Sequence, residues 1–155
     1  MNRPEILLVN PWIHDFAAYD LWAKPLGLLV LGSMLRHQGW SPLLVDFLDP
    51  DHPSINTIRT DKHSRGKFHR TPLEKPDALK SIPRTFSRYG VGVDEIRKDL
   101  EKLERPQAIL ITSLMTYWYA GLAETVDLLR EVFAGVPLLL GGIYASLMPA
   151  LASWN

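Results

Sequence analysis

The chain has no cysteine among its 155 residues. That absence excludes a disulfide, an iron–sulfur cluster, a thiolate zinc site and a cysteine nucleophile. Continuous hydrophobicity is also scarce, because the apolar runs stop far short of the ~18 residues that span a bilayer. The stretch from Met1 to Pro11 ends its apolar run at Asn10 and has no small-residue cleavage site, so it reads as a strand and not as a signal peptide. No membrane contact and a cytoplasmic location are the resulting expectations. Neither G-x-G-x-x-G nor G-x-x-x-x-G-K-[ST] occurs, which removes the main support for a dinucleotide fold or a P-loop. No sign of charge dominates: 17 Lys+Arg balance 17 Asp+Glu, and 46% hydrophobic residues are too many for a disordered chain.

The balance hides an asymmetry. From residue 51 to 92 there are nine basic residues, Arg59, Lys62, Arg65, Lys67, Arg70, Lys75, Lys80, Arg84 and Arg88, against four acidic ones, Asp51, Asp61, Glu74 and Asp77. This basic, loop-rich insertion carries +5 and leaves −5 on the rest of the chain. Its prolines (53, 72, 76, 83) and weak periodicity predict a long connection with no core element. Phe68, Phe86 and Tyr89 interleave with the basic residues, but no recognition motif accompanies them, so nucleic acid is not expected as a partner. His52, His63 and His69 lack zinc-type spacing. No Ser/His/Asp order and no carboxylate pair stands out.

Around the insertion the pattern is regular. Ile6–Asn10 is a continuous apolar run between prolines, as expected of a strand buried on both faces. A helix is predicted from Pro25 to about Gln38, ahead of Gly39. Further strands are expected at 43–48, 108–112 and 136–140. Helices are expected at 93–103, with Asp94 as N-cap, and at 120–133. Alternating strands and helices define an α/β fold with a parallel sheet and helices on both faces. After the fourth strand only a short helix follows, so a fifth strand and its covering helix are missing from a flavodoxin-like (Rossmann-type) plan. The expectation is that residues 1–155 are one domain and the front part of a longer protein.

In such a sheet the ligand crevice lies beyond the carboxyl ends of the strands. The loops there, 10–24, 112–119 and 141–146, are rich in aromatic side chains, including Trp12, His14, Phe16, Tyr19, Trp22, Tyr117, Trp118 and Tyr119. They suit a broad, flat ligand bound by stacking, or else the cap of a core. Gly141-Gly142 permits either a tight turn or the close approach of a ligand to the backbone.

The segments Ile6–Pro11, Asp15–Trp22, Lys24–Leu28, Gly66–His69, Pro83–Gly90, Thr112–Tyr119 and Gly141–Ala145 together resemble the N-terminal cobalamin-binding domain of cobalamin-dependent radical SAM proteins. The resemblance implies a flavodoxin-like module that holds cobalamin (vitamin B12) at the carboxyl edge of its sheet. By position it implies contacts from Asn10, Trp12, Tyr19, Leu26 and Gly27. It also implies the S-x-L-type segment Thr112, Ser113, Leu114, Met115 and Thr116, with Tyr117, Trp118 and Tyr119 under or beside the corrin. Gly141 and Gly142, followed by Ile143 and Tyr144, would meet the nucleotide tail.

Three departures qualify what the resemblance implies, the missing fifth strand, part of the usual binding crevice, being one. The cobalt-ligating D-x-H-x-x-G is absent, since Asn10, Trp12 and Asp15 stand in that register and His14 is out of phase. The C-x-x-x-C-x-x-C that binds the iron–sulfur cluster and S-adenosylmethionine is also absent, which in relatives belongs to a downstream catalytic domain. The leading expectation is therefore a corrinoid-binding module, not catalytic alone, whose partner is a radical SAM domain in the same longer chain or in another, as in a methyltransferase. The alternative is a degenerate domain acting in protein interaction or regulation. A flavin or nucleotide site would need a Ser/Thr/Gly loop after the first strand, where Asn10–His14 stands instead.

Overall fold

The computed structural model describes residues 5–19, 24–55, 66 and 68–152. Residues Trp22, Arg59, Lys62, His63, Arg65 and Lys67 lie outside the described residues, as does the end of the chain from 153.

Four strands pair in parallel in the order β3-β1-β6-β7. They are β1 (Ile6–Asn10), β3 (Pro42–Asp46), β6 (Ala108–Ile111) and β7 (Leu138–Leu140). The register runs Ile6 to Pro42 and Asn10 to Asp46 on one side of β1, and Ile6 to Ala108 and Val9 to Ile111 on the other. Every residue of β1 is buried, as its unbroken apolar sequence requires. The two-residue period of the strand then sorts side chains between two faces. Leu7, Val9, Ile109 and Ile111 join the core under α2 (Val93–Glu101) and α3 (Tyr119–Val132). Ile6, Leu8 and Leu110 meet Leu28 and Leu35 of α1 (Leu26–His37). Burial of one such side chain contributes about 1.5–3 kcal/mol.

Helix boundaries follow the expected signals within two residues. Gly92, not Asp94, is the N-cap of α2, and Asp94 sits in its first turn, where a carboxylate suits the helix dipole. Phe47 and Leu48, expected in the second strand, turn inward after β3 and are fully buried. Two short helices, α4 (Ile143–Leu147) and α5 (Pro149–Ala152), end the described chain. Among the described residues no helix is long and apolar enough to cross a membrane.

The insertion differs most from its expected form. Its residues 70–72 and 87–89 are strands β4 (Arg70–Pro72) and β5 (Ser87–Tyr89), which pair antiparallel with β2 (Ile13–Asp15) in a second, three-stranded sheet. Phe68, Phe86, Ser87 and Tyr89 are buried. Ile13, Ala18, Leu48, Phe68 and Tyr89 form a separate small core with Trp118 against it. Strands of three residues are too short for alternation to show in the sequence, and β2 pairs with a strand that lies 72 or more residues further along the chain, Asp15 opposite Ser87. Among the described residues Arg70, Lys80 and Arg84 stay on the outside and Arg88 turns inward, while Phe68 and Tyr89 enter the small core.

Candidate functional site

The carboxyl edge of the parallel sheet brings together the ends of β1, β3, β6 and β7. After β6 the chain runs Thr112-Ser113-Leu114-Met115 into a single 3-10 turn, Thr116–Trp118, and then into α3. After β7 it runs Gly141-Gly142 into α4. Ser113 fastens these two loops. Its hydroxyl donates to the Gly141 carbonyl oxygen at 2.7 Å, and its own carbonyl accepts the Ile143 N–H at 2.9 Å.

The glycine pair divides its roles. Gly142 has φ +95°, and a Cβ there would collide with the backbone oxygen and nitrogen of Ser113. Its missing side chain is thus required by backbone packing. A Cβ on Gly141 would meet nothing within 4 Å, and the same holds for Gly27 in the first turn of α1. Both glycines line a groove of about 400 Å³ between α1 and the β6–β7 half of the sheet, together with Leu28, Leu31, Leu110 and Leu139. A glycine inside a helix costs roughly 1 kcal/mol relative to alanine, and no packing contact explains it at position 27.

The aromatic residues also separate. Tyr19, Tyr117 and Tyr119 are exposed at the carboxyl edge, with Met115 beside them. Trp118 is half-buried: its Nε1–H donates to Asp15 Oδ2 at 2.9 Å, and Tyr117 meets its ring edge-on at 5.8 Å. Trp12 does not belong to this platform. It is 1% exposed, its ring packs on Phe47 at 4.6 Å, and its Nε1–H donates to the Val91 carbonyl at 2.7 Å. Tyr144 is likewise part of the main core, whereas Ile143 and Leu26 are exposed. A crevice of only about 30 Å³, room for one water, lies beneath Thr112–Met115 and reaches Asn10. Anything larger does not enter this crevice.

Two polar groups were not legible as a unit. Asn10 Nδ2–H donates to Asp46 Oδ1 at 2.8 Å across the strand register, and the Leu48 N–H donates to the same oxygen at 2.9 Å. Burial pushes the Asp46 carboxyl above its ordinary range even though both hydrogen bonds favour its charged form. Behind the platform, His14 Nε2 lies 2.7 Å from Glu124 Oε2, and Arg88 Nη1 lies 2.5 Å from Glu124 Oε1. Arg88 also sits over the Trp12 ring at 5.4 Å. This cluster joins β2, β5 and α3. Burial alone would raise the Glu124 carboxyl, but the His14 hydrogen bond and the Arg88 charge outweigh it and hold the group below its usual range.

Away from this edge, Ser54, His52 and Asp99 line up at 2.7 and 2.8 Å. The Ser54 N–H donates to the same His52 Nδ1, so the histidine closes a turn and ties it to α2. Among the described residues no group of three potential metal ligands occurs.

The architecture is that of an α/β protein with a parallel sheet and a ligand-sized groove at the carboxyl end of its strands. No family model, curated protein or solved structure matches the chain.

Proposed function

We propose that the chain is a cobalamin-binding module with a flavodoxin-like sheet, which holds the corrinoid over its carboxyl edge. The observation that carries the proposal is the groove opened by Gly27 and Gly141, two glycines whose missing side chains serve no packing. It is walled by Gly27, Leu28 and Leu31 of α1 and by Leu110–Thr112 and Leu139–Gly142 of the sheet, and the exposed Met115, Tyr117 and Tyr119 follow Thr112 along the chain. A large ligand with a flat, partly apolar head and a long tail suits that shape: the tail beside Gly27, Leu31 and Gly141, the head over the aromatic edge.

Cobalamin when bound supplies the chemistry of a cobalt–carbon bond. The chain's part is to bind and orient it. Tyr19, Met115, Tyr117 and Tyr119 offer stacking and apolar area, Thr112 lines the groove, and Ser113 and Leu114 line the small crevice that shares Thr112 with it. Trp118, fixed by Asp15, keeps the turn in place. His14 is committed to Glu124 and does not line the groove, in keeping with the absent D-x-H-x-x-G. Methyl transfer or rearrangement then depends on an iron–sulfur cluster and S-adenosylmethionine on a catalytic radical SAM partner.

Titration of the purified chain with hydroxocobalamin, read in the visible spectrum and by equilibrium dialysis, tests the proposal. Saturable binding at one site is expected, and retention no greater than that of an unrelated protein of equal size overturns it. A second reading, an interaction module, is favoured by the exposed leucines of α1 and of α4–α5.

A further inference from the structure

Four residues stand level across the carboxyl edge of the parallel sheet. The register puts Asp46 beside Asn10, Val9 beside Ile111, and Ile111 beside Leu140. One residue further on, the Thr112 N–H still donates to Val9 and the Gly141 N–H to Ile111, so the row runs Asp46, Asn10, Thr112, Gly141. Two residues earlier on these strands, Leu44, Leu8 and Leu110 meet α1 and Leu139 lines the groove beside it. Strand alternation therefore puts the whole row on the α1 face. At about 4.8 Å per strand it is about 14 Å long. Thr112 and Gly141 line the groove, and the other end of the row is a carboxylate.

The fold needs only half of that carboxylate. Asp46 Oδ1 accepts from Asn10 Nδ2–H at 2.8 Å and from the Leu48 N–H at 2.9 Å, which fills both of its lone pairs and fixes the plane of the group. Asn10 is itself 5% exposed, so this clamp is built into the interior. An asparagine at position 46 would accept the same two hydrogen bonds without bringing a charge into a half-buried place, where burial already pushes the carboxyl upward. What an aspartate adds is Oδ2, and among the described residues no donor meets it. Two charges reach the group, Asp49 and Lys24, and they act in opposite senses. An acceptor held rigid, half-satisfied and level with the groove is a place for a hydrogen-bond donor of the ligand.

We propose that Asp46 determines which corrinoid is taken: its Oδ2 accepts an N–H from one peripheral carboxamide of the ring and so selects the amidated ring over a derivative with a carboxylate at that position. This role rests on the cobalamin reading and adds to it a specificity-determining residue. A neutral amide satisfies the open oxygen. A carboxylate in its place sets two anions against each other where solvation is poor. The groove and the aromatic edge do not make this distinction, since Gly27, Gly141, Met115, Tyr117 and Tyr119 carry no charge.

The test is equilibrium dialysis of the whole chain against hydroxocobalamin and against its separate monocarboxylic acid derivatives, each with one peripheral amide hydrolysed, at about pH 8, where such acids are ionised. One derivative is expected to bind at least about tenfold more weakly than hydroxocobalamin. Asp46→Asn keeps an oxygen for Asn10 and Leu48 and puts an N–H donor where Oδ2 was. It should therefore weaken hydroxocobalamin about tenfold and make that same derivative the tighter ligand, with an unchanged far-UV circular dichroism spectrum. Asp49→Asn, which removes only a neighbouring charge, should keep the parent's ranking. A parent that binds every derivative as it binds hydroxocobalamin overturns the role of Asp46 and leaves the cobalamin reading standing. So does an Asp46→Asn chain that keeps the parent's ranking, or an Asp49→Asn chain that changes it as much. If the parent binds neither hydroxocobalamin nor any derivative, the cobalamin reading falls and this role falls with it.

Discussion

Adjacent glycines can be present for opposite reasons, and Gly141 and Gly142 show how a structure separates them. Gly142 is held at positive φ against the Ser113 backbone, so Gly142→Ala is expected to cost about 3 kcal/mol or more from strain and collision together. Gly141→Ala adds a methyl group to open space, so its melting temperature should match that of the parent. Its hydroxocobalamin affinity should nonetheless fall at least about tenfold, equivalent to 1.4 kcal/mol. Thermal melts and dialysis on the two variants separate these effects, and equal affinity for Gly141→Ala and the parent would show that the groove holds no tail. Ser87 offers a second test at this scale. Its hydroxyl is buried and has no hydrogen-bond partner among the described residues, so Ser87→Ala is expected to stabilise the chain by about 1 kcal/mol in urea unfolding, because a buried unsatisfied group costs more than the bond is worth. Sequence spacing distinguishes none of these residues. Trp12 and Trp118 look alike as loop tryptophans, and only the Val91 and Asp15 acceptors tell core from platform.

At the scale of elements, the join between the two sheets rests on Glu124. Its carboxylate accepts from His14 on β2 and Arg88 on β5, so one residue of α3 holds two strands of the small sheet. Glu124→Ala leaves the Arg88 guanidinium without this partner in a largely buried place, and a loss of about 2–3 kcal/mol is expected. The pH dependence follows from the depressed carboxyl of Glu124. A group whose folded pKa lies below its unfolded value near 4.3 contributes stability above that value and loses it as pH falls through the folded one. Unfolding free energy measured from about pH 7 down to about pH 3 should therefore drop less steeply in Glu124→Gln than in the parent. Parallel slopes would refute this role. The small sheet was the least legible element because its strands are three residues long and its pairing is set by distant partners. The α/β scaffold was the most legible, since β1 carries an unbroken apolar run and α3 a helical period over a full element.

For the molecule as a whole, the alternation of strands and helices places every strand end at one edge, and the candidate site is there because of that topology. The basic insertion is not a separate lobe: its aromatic residues form a core of their own that backs the site through Trp118. Disrupting that backing should therefore reach the ligand edge. Asp15→Ala removes the acceptor for Trp118 Nε1–H and is expected to weaken hydroxocobalamin binding about three- to tenfold, at a stability cost of about 1 kcal/mol. Asp15→Glu, which retains an acceptor, should recover part of that affinity. The measurement is the same titration, run alongside urea unfolding so that lost binding is not mistaken for lost fold.

The sequence by itself determined the α/β class, the four parallel strands, the position of their helices and the absence of thiolate chemistry, because periodicity and composition are local properties that need no partner to read. It also placed the glycines and aromatic residues at the strand ends. Only the tertiary structure decided which of them face outward. Whether Trp12 or Trp118 is available, whether Gly141 or Gly142 stands beside open space, and whether residues 70–72 and 87–89 are loop or sheet all depend on contacts between segments tens of residues apart. Such contacts leave no periodic trace along the chain.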